Sequence, residues 1–203
     1  MARYTGPRVR LSRRFNTPLF GASKYLERKP YPPGMHGQNR RRKATDYALA
    51  LAEKQKMRFY YGLMEKQFRG VYEKAIRRRG VTGEIMLQIL ETRLDSVVHN
   101  LGFGYTRSQA RQMVTHGHVL VNGKRVNIPS YTVSDEDVIE LKEQSKQINL
   151  VQESIVSQER EIPEYLEVDS KEFKGRFLRA PFLHDVPYPV TMEPNLVIEY
   201  YSS

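Results

Sequence analysis

A chain of 203 residues, 39% hydrophobic and 28% charged, holds enough apolar material for one large core or two small ones. It contains no cysteine, which excludes disulfides and thiolate metal sites and fits a reducing compartment. No apolar run approaches the roughly 20 residues of a membrane helix, and the basic Met1–Thr5 start lacks the apolar stretch of a secretory signal. The cytoplasm is therefore the expected location. The histidines (His36, His99, His116, His118 and His184) are too scattered for a zinc site, and no metal or other cofactor is expected.

The net charge of +10 is unevenly spread. Residues 1–80 hold 21 Lys/Arg against 5 Asp/Glu, whereas residues 81–203 hold 12 against 18. A merely soluble surface would intersperse both signs, so the lopsided field points to a polyanionic partner.

Residues 1–45 carry 12 basic side chains and one acid, Glu27, and read as an extended arm. Pro7, Pro18, Pro30, Pro32 and Pro33 oppose a continuous helix, and Gly6, Gly21, Gly34 and Gly37 mark turns. Such a segment is expected to order only against a polyanion. Phe15, Phe20, Tyr25 and Tyr31, interleaved with the cations, suit either stacking on bases or packing against protein. A helical domain is expected over 46–92. Its first helix starts after an Asp46 cap, with Ala48, Leu51 and Ala52 as its stripe, and stops at Gly62. A second spans about 63–79, with Met64, Phe68, Val71, Tyr72, Ala75 and Ile76 at core spacing. It ends in Arg77–Arg79, where cations suit both the helix dipole and RNA.

One further helix is expected from Gly83 to about Leu101, on the wide apolar face of Ile85, Leu87, Leu90, Leu94, Val97, Val98 and Leu101. The next opens at Thr106, with Gln109 completing a capping-box signature, and closes near Gly117. Beyond it, 118–121 and 124–128 flank Asn122-Gly123, a strong hairpin signal. Short strands are expected at Val133 and 138–141, and a helix with an acidic outer face over about 144–157. From Phe173 onward, short extended pieces are punctuated by prolines.

On the helix after Thr106, Ala110, Met113 and Val114 form the core stripe. Ser108, Arg111, Gln112 and Thr115 point the other way, with Arg107 and His116 on the flanks. His118 and Lys124-Arg125 continue this face. Arginine suits phosphate because its planar fork donates two hydrogen bonds at once, although any helix needs a solvated face.

The stretch resembles the S-four RNA-binding module, a pair of helices followed by a small β-hairpin sheet. The matches are Arg93-Leu94-Asp95, Gly102-Phe103, Ser108 with Ala110-Arg111-Gln112, His116-Gly117-His118, Val121-Asn122-Gly123 with Val126, and Pro129-Ser130. Outside it, 33–38 (PGMHGQ), the basic run 40–43, 53–56 (EKQK) with Arg58, Tyr61-Gly62, 65–68 (EKQF), 72–75 (YEKA) and 197–202 (VIEYYS) resemble the bacterial-type S-four family of small-subunit ribosomal proteins. That resemblance implies a mainly α fold with a small β part (α+β). The divisions would be a basic arm (1–45), a helical domain (46–92), an inserted module with its acidic follow-on (93–185), and a tail (186–203) packing back on the helical domain.

By resemblance the chain binds small-subunit ribosomal RNA at a 5′-domain multi-helix junction and nucleates assembly. It would also neighbour protein S-five and messenger RNA, influence decoding accuracy, and repress its own translation. The candidate RNA contacts are Arg3, Arg8, Arg10, Arg13, Arg14, Lys24, Arg40, Arg41, Arg42 and Lys43 on the arm, and Lys54, Lys56, Arg58 and Arg69 on the helices. On the module they are Arg107, Ser108, Arg111, Gln112, His116, His118 and Lys124. Many relatives carry a cysteine pattern that can hold zinc, starting with a Cys-x-x-Cys where this chain has Val9 and Ser12, so it resembles the metal-free form.

Three alternatives are weaker. A pseudouridine synthase would use the aspartate of Arg93-Leu94-Asp95, but Thr92 stands where those enzymes have glycine, and no catalytic domain fits in the remainder. A helix-turn-helix DNA binder and a rescue factor for stalled large subunits leave the whole-chain resemblance unexplained.

Overall fold

The computed structural model describes residues 4–39, 43–156, 162–186, 188 and 192–202. The chain forms two compact units, one of residues 1–86 with 188–203 and the other of residues 87–187.

The first unit departs from expectation at once. Instead of an extended arm, residues 8–15 form α1 (Arg8–Phe15) and residues 24–28 form α2 (Lys24–Arg28). Pro7 precedes α1 in extended conformation, and Asn16 ends it in the left-handed region at φ 50°. The prolines bracket a helix rather than forbid one, because a proline just before the first turn forfeits no helical hydrogen bond. Leu11 and Leu19 are buried, and Tyr4 and Phe15 lie against the Phe59 ring with centroids 5.1 and 6.4 Å away. These apolar anchors, diluted among cations, pack the segment against Phe59.

α3 (Asp46–Tyr60) is capped by Thr45, whose Oγ1 accepts from the Ala48 amide at 3.3 Å, so the cap lies one residue before the expected Asp46. Its buried stripe is Ala50, Lys54, Met57 and Tyr60, not Ala48, Leu51 and Ala52. Gly62 supplies the left-handed stop at φ 63°. α4 (Glu65–Ile76) buries Phe68, Val71, Tyr72 and Ala75 as expected, while Met64 and Ile76 remain exposed.

The single helix expected over 83–101 is two: α5 (Thr82–Glu91), which spans the boundary between the units, and α6 (Leu94–Asn100). Arg93 between them is extended (φ −68°, ψ 137°) and bridges to Thr132. The Leu94 amide donates to Tyr131 O (2.9 Å) and the Val133 amide to Thr92 O (2.8 Å). Val133 is thus held by this bridge rather than in a named strand. Apolar periodicity runs through the break because each helix buries its own apolar residues, Ile85, Leu87 and Leu90 on α5 and Leu94, Val97 and Val98 on α6, and pairing with 131–133 overrides local propensity.

In the second unit α7 (Arg107–His116) is capped by Thr106, which accepts from the Gln109 amide at 3.2 Å. The Gln109 side chain in turn accepts from the Tyr105 amide at 3.0 Å. Gly117 closes the helix in the left-handed region at φ 72°, and Ala110, Met113 and Val114 face the core. β1 (Val119–Val121) and β2 (Lys124–Arg125) turn through Asn122-Gly123, both at positive φ as a tight type I′ hairpin requires. β3 (Val138–Leu141) pairs antiparallel with β1.

The expected helix over 144–157 is again two, α8 (Glu143–Lys146) and α9 (Asn149–Val156); residue 157 lies outside the described residues. β4 (Leu166–Asp169), which composition does not signal, and β5 (Lys174–Phe177) complete an antiparallel sheet in the order β2-β1-β3-β5-β4. One core lies between this sheet and α6–α7, with Leu94, Val98, Phe103, Val114, Ile139, Tyr165 and Phe177 at its centre. Gly104 permits close passage over α7, since a Cβ there would lie 2.9 Å from the Ala110 nitrogen.

The tail is helical, not extended: α10 (Pro194–Ser202) belongs to the first unit and packs on α3 through buried Val197. Pro194 occupies the first helical position, where its fixed φ and missing N–H favour a helix start.

Candidate RNA interface

The arginines read from sequence as an open face of α7 are turned toward carboxylates of the same unit. Arg107 donates to Ser96 Oγ (3.0 Å) and to Glu91 Oε1 (3.3 Å). Glu91 is fully buried and also accepts from Asn100 Nδ2 (2.6 Å) and the Tyr165 hydroxyl (3.2 Å). Burial and the Glu91 charge push the Tyr165 phenol far above its ordinary range, so it is a permanent donor. One turn on, Arg111 donates to Asp95 Oδ2 at 2.9 Å, and Arg93 grips both oxygens of the same carboxylate at 3.0 and 2.9 Å. The side chains of Arg93, Arg107 and Arg111 are only 11–13% exposed.

The result is two carboxylates, Glu91 at the end of α5 and Asp95 at the start of α6, facing two arginines one turn apart on α7. Buried carboxylates are tolerated only when so paired, and the pairing fixes how α7 sits against α6. Glu91, Asp95, Asn100 and Tyr165 were not among the residues picked out by sequence as the RNA-facing set. The matching four-residue spacings were the available signal for the two acids, whereas Tyr165 comes from a distant segment.

What α7 offers outward lies at its C-terminal end and on the hairpin. Gln112, His116, Lys124 and Arg125 are exposed, and Ser108 and Thr115 are half-buried. Arg125 reaches back to donate to His116 O (3.4 Å), lying over Gly117 where any Cβ would overlap its guanidinium. His118 Nδ1 meets Ser145 Oγ at 2.9 Å, and its ring lies 6.0 Å from that of His116. Burial, then His116, Lys142 and Arg125, hold the His118 imidazolium below its ordinary range.

In the first unit the candidate cations divide. Arg10, Arg14, Lys24 and Lys43 are exposed, as is Arg8, whose guanidinium stands 5.6 Å from the Phe20 ring centroid. Arg69 is exposed beside Glu73 at 3.4 Å. Lys54 is buried against Glu65 (2.8 Å) and over the Tyr200 ring (4.5 Å), Lys56 pairs with Glu53, and Arg58 reaches Gln55 Oε1 (2.8 Å) and Leu63 O (3.3 Å). Burial raises the Glu65 carboxyl, but Lys54, the Tyr201 hydroxyl and Arg58 outweigh it and hold the group below its ordinary range. Lys54 and Arg58 fasten α3 to the residues that follow it, whereas the Lys56–Glu53 pair lies within α3. Arg3, Arg40, Arg41 and Arg42 lie outside the described residues.

Zinc does not fit where cysteine-bearing relatives would hold it. Val9 offers no donor, and Ser12 is a buried hydroxyl rather than a thiolate. Among the described residues, no group of three or more His, Cys, Asp or Glu could hold a metal, and no helix is long and apolar enough to cross a membrane.

Two family models match in tandem: the ribosomal protein S4/S9 N-terminal domain over residues 3–91 and the S4 domain over residues 92–139. Their junction falls at the break between α5 and α6. Over its full length the chain is 52% identical to small ribosomal subunit protein uS4 of Gluconacetobacter diazotrophicus and 51% identical to that of Rhodospirillum centenum. It is 46% identical to that of Salinibacter ruber, and the whole of each relative is covered.

Proposed function

The chain belongs to the uS4 family of small ribosomal subunit proteins, and from that premise we propose that it is a primary binder of the subunit's RNA. It is a structural ribosomal protein with an S4 RNA-binding domain, and no enzyme. The observation that carries the proposal is the locked α7. Arg107 and Arg111 tie the helix to Glu91 and Asp95, while Gln112 and His116 stand exposed toward its C-terminal end and Lys124 and Arg125 on the hairpin.

In this role the cationic first unit replaces counterions between RNA helices that otherwise repel each other, and the second unit contributes a preorganised contact. Recognition is of RNA shape, because side chains cannot read the deep, narrow major groove of A-form duplexes. The family resemblance supports attachment to a multi-helix junction in the 5′ part of the RNA early in assembly, inside the cytoplasm. It also supports contact with protein S-five and with messenger RNA where it enters, an influence on accuracy, and autogenous repression.

Chemical footprinting of the purified chain on protein-free small-subunit RNA tests this. Protections are expected to cluster at one junction. Scattered protections, or absence of the chain from small subunits and their precursors in gradient fractions, would sink the proposal.

His118 adds a pH dependence. Its depressed value means the stability linked to it is full above the ordinary imidazole range and is lost as pH falls through the folded value. A phosphate nearby reverses that preference, so RNA binding should take up a proton and tighten from pH 8 to pH 6. His118→Gln is expected to flatten the profile by up to about one log unit per pH unit. An unchanged profile would remove His118 from the interface.

A further inference from the structure

The Arg13 guanidinium is spent on the chain's own backbone. Its Nε donates to the carbonyls of Lys29 (3.2 Å) and Tyr31 (3.2 Å), its Nη2 donates to that of Pro32 (3.4 Å), and it lies 4.8 Å from the Tyr31 ring centroid. The recipient segment is short of donors, since Pro30, Pro32 and Pro33 have no N–H, and a planar five-donor fork suits such a row of acceptors. Gly37 also passes close to the Pro32 carbonyl, which a Cβ there would overlap. At its own end Arg13 sits in the last turn of α1, closed by the Asn16 and Thr17 amides donating to Arg13 O (3.4 Å) and Ser12 O (3.0 Å).

We propose that Arg13 is a positioning residue: it pins α1 to the 29–32 segment and so fixes the direction in which α1 presents Arg10 and Arg14. The pin is the fastening of an arm that lacks thiolates. Its consequence for RNA rests on the function proposed above, but the pin itself does not.

The test compares Arg13→Lys with Arg13→Gln in the full chain. Lysine keeps the charge but cannot span three carbonyls, so both variants should lose the pin. In the free protein, hydrogen exchange at the Asn16, Thr17, Lys29 and Gly37 amides is expected to accelerate about tenfold or more, with α4 amides as an unchanged internal reference. RNA affinity should fall about tenfold in both, and the Arg13→Lys salt slope should stay that of the parent because no charge is removed. A phosphate contact predicts the opposite: parental exchange in both, parental affinity in Arg13→Lys, and a slope reduced by about 0.7–0.9 in Arg13→Gln. That pattern overturns the pin. Faster exchange with undiminished RNA affinity in both variants keeps the pin and overturns the arm's role in binding.

Discussion

Glutamine at Arg10, Arg14, Lys24 and Lys43 together is expected to weaken small-subunit RNA binding by about 10²–10³-fold at physiological salt. All four side chains are exposed, so their replacement leaves the packing of Leu11, Leu19 and Phe59 untouched. The effect is therefore electrostatic. Each phosphate neutralised contributes roughly 0.7–0.9 to the log–log salt slope, and losing four should lower it by about 3. Filter binding or fluorescence anisotropy from 0.05 to 0.5 M salt measures the slope directly. Deleting residues 1–43 is the poorer experiment, because it strips Tyr4 and Phe15 from Phe59 and removes buried Leu11 and Leu19. A variant with the parental slope and unchanged thermal unfolding would show that the cations of this segment face solvent in the complex.

Local chemistry made parts of the fold readable, and tertiary contact decided the rest. The Thr106 cap, the Gly117 stop and the Asn122-Gly123 turn are fixed by backbone requirements that few residues meet, so they survive without knowledge of neighbours. The break at Thr92–Arg93 obeys no local rule. It exists because residues 131–133, distant in the chain, pair there. α1 and α10 were hidden by prolines read as breakers when each stands at a helix start. The interface was legible by residue type but not by direction. Arg107, Arg111, Lys54 and Arg58 have long stems that bring their charges to acids on neighbouring elements, and a sequence cannot say which way a long stem turns. Gln112, His116 and Lys124 stand exposed instead.

That inward turn sets up a large stability effect. Arg107→Met is expected to cost about 3–5 kcal/mol of the unfolding free energy of the second unit, because the wholly buried Glu91 carboxylate loses its cation. Asn100 and Tyr165 still donate to it, but neutral donors do not offset the desolvation of a full charge. Adding Glu91→Gln should therefore recover much of the loss, since the amide oxygen keeps an acceptor for Asn100 or Tyr165 without the charge. Glu91→Gln alone should be milder than Arg107→Met, since Arg107 keeps Ser96 as a partner. Urea unfolding of the three variants against the parent measures this coupling. If Arg107→Met cost less than about 1 kcal/mol, as surface ion pairs do, the two-carboxylate lock would not be what holds α7 in place, and the preorganised contact built on it would have no support.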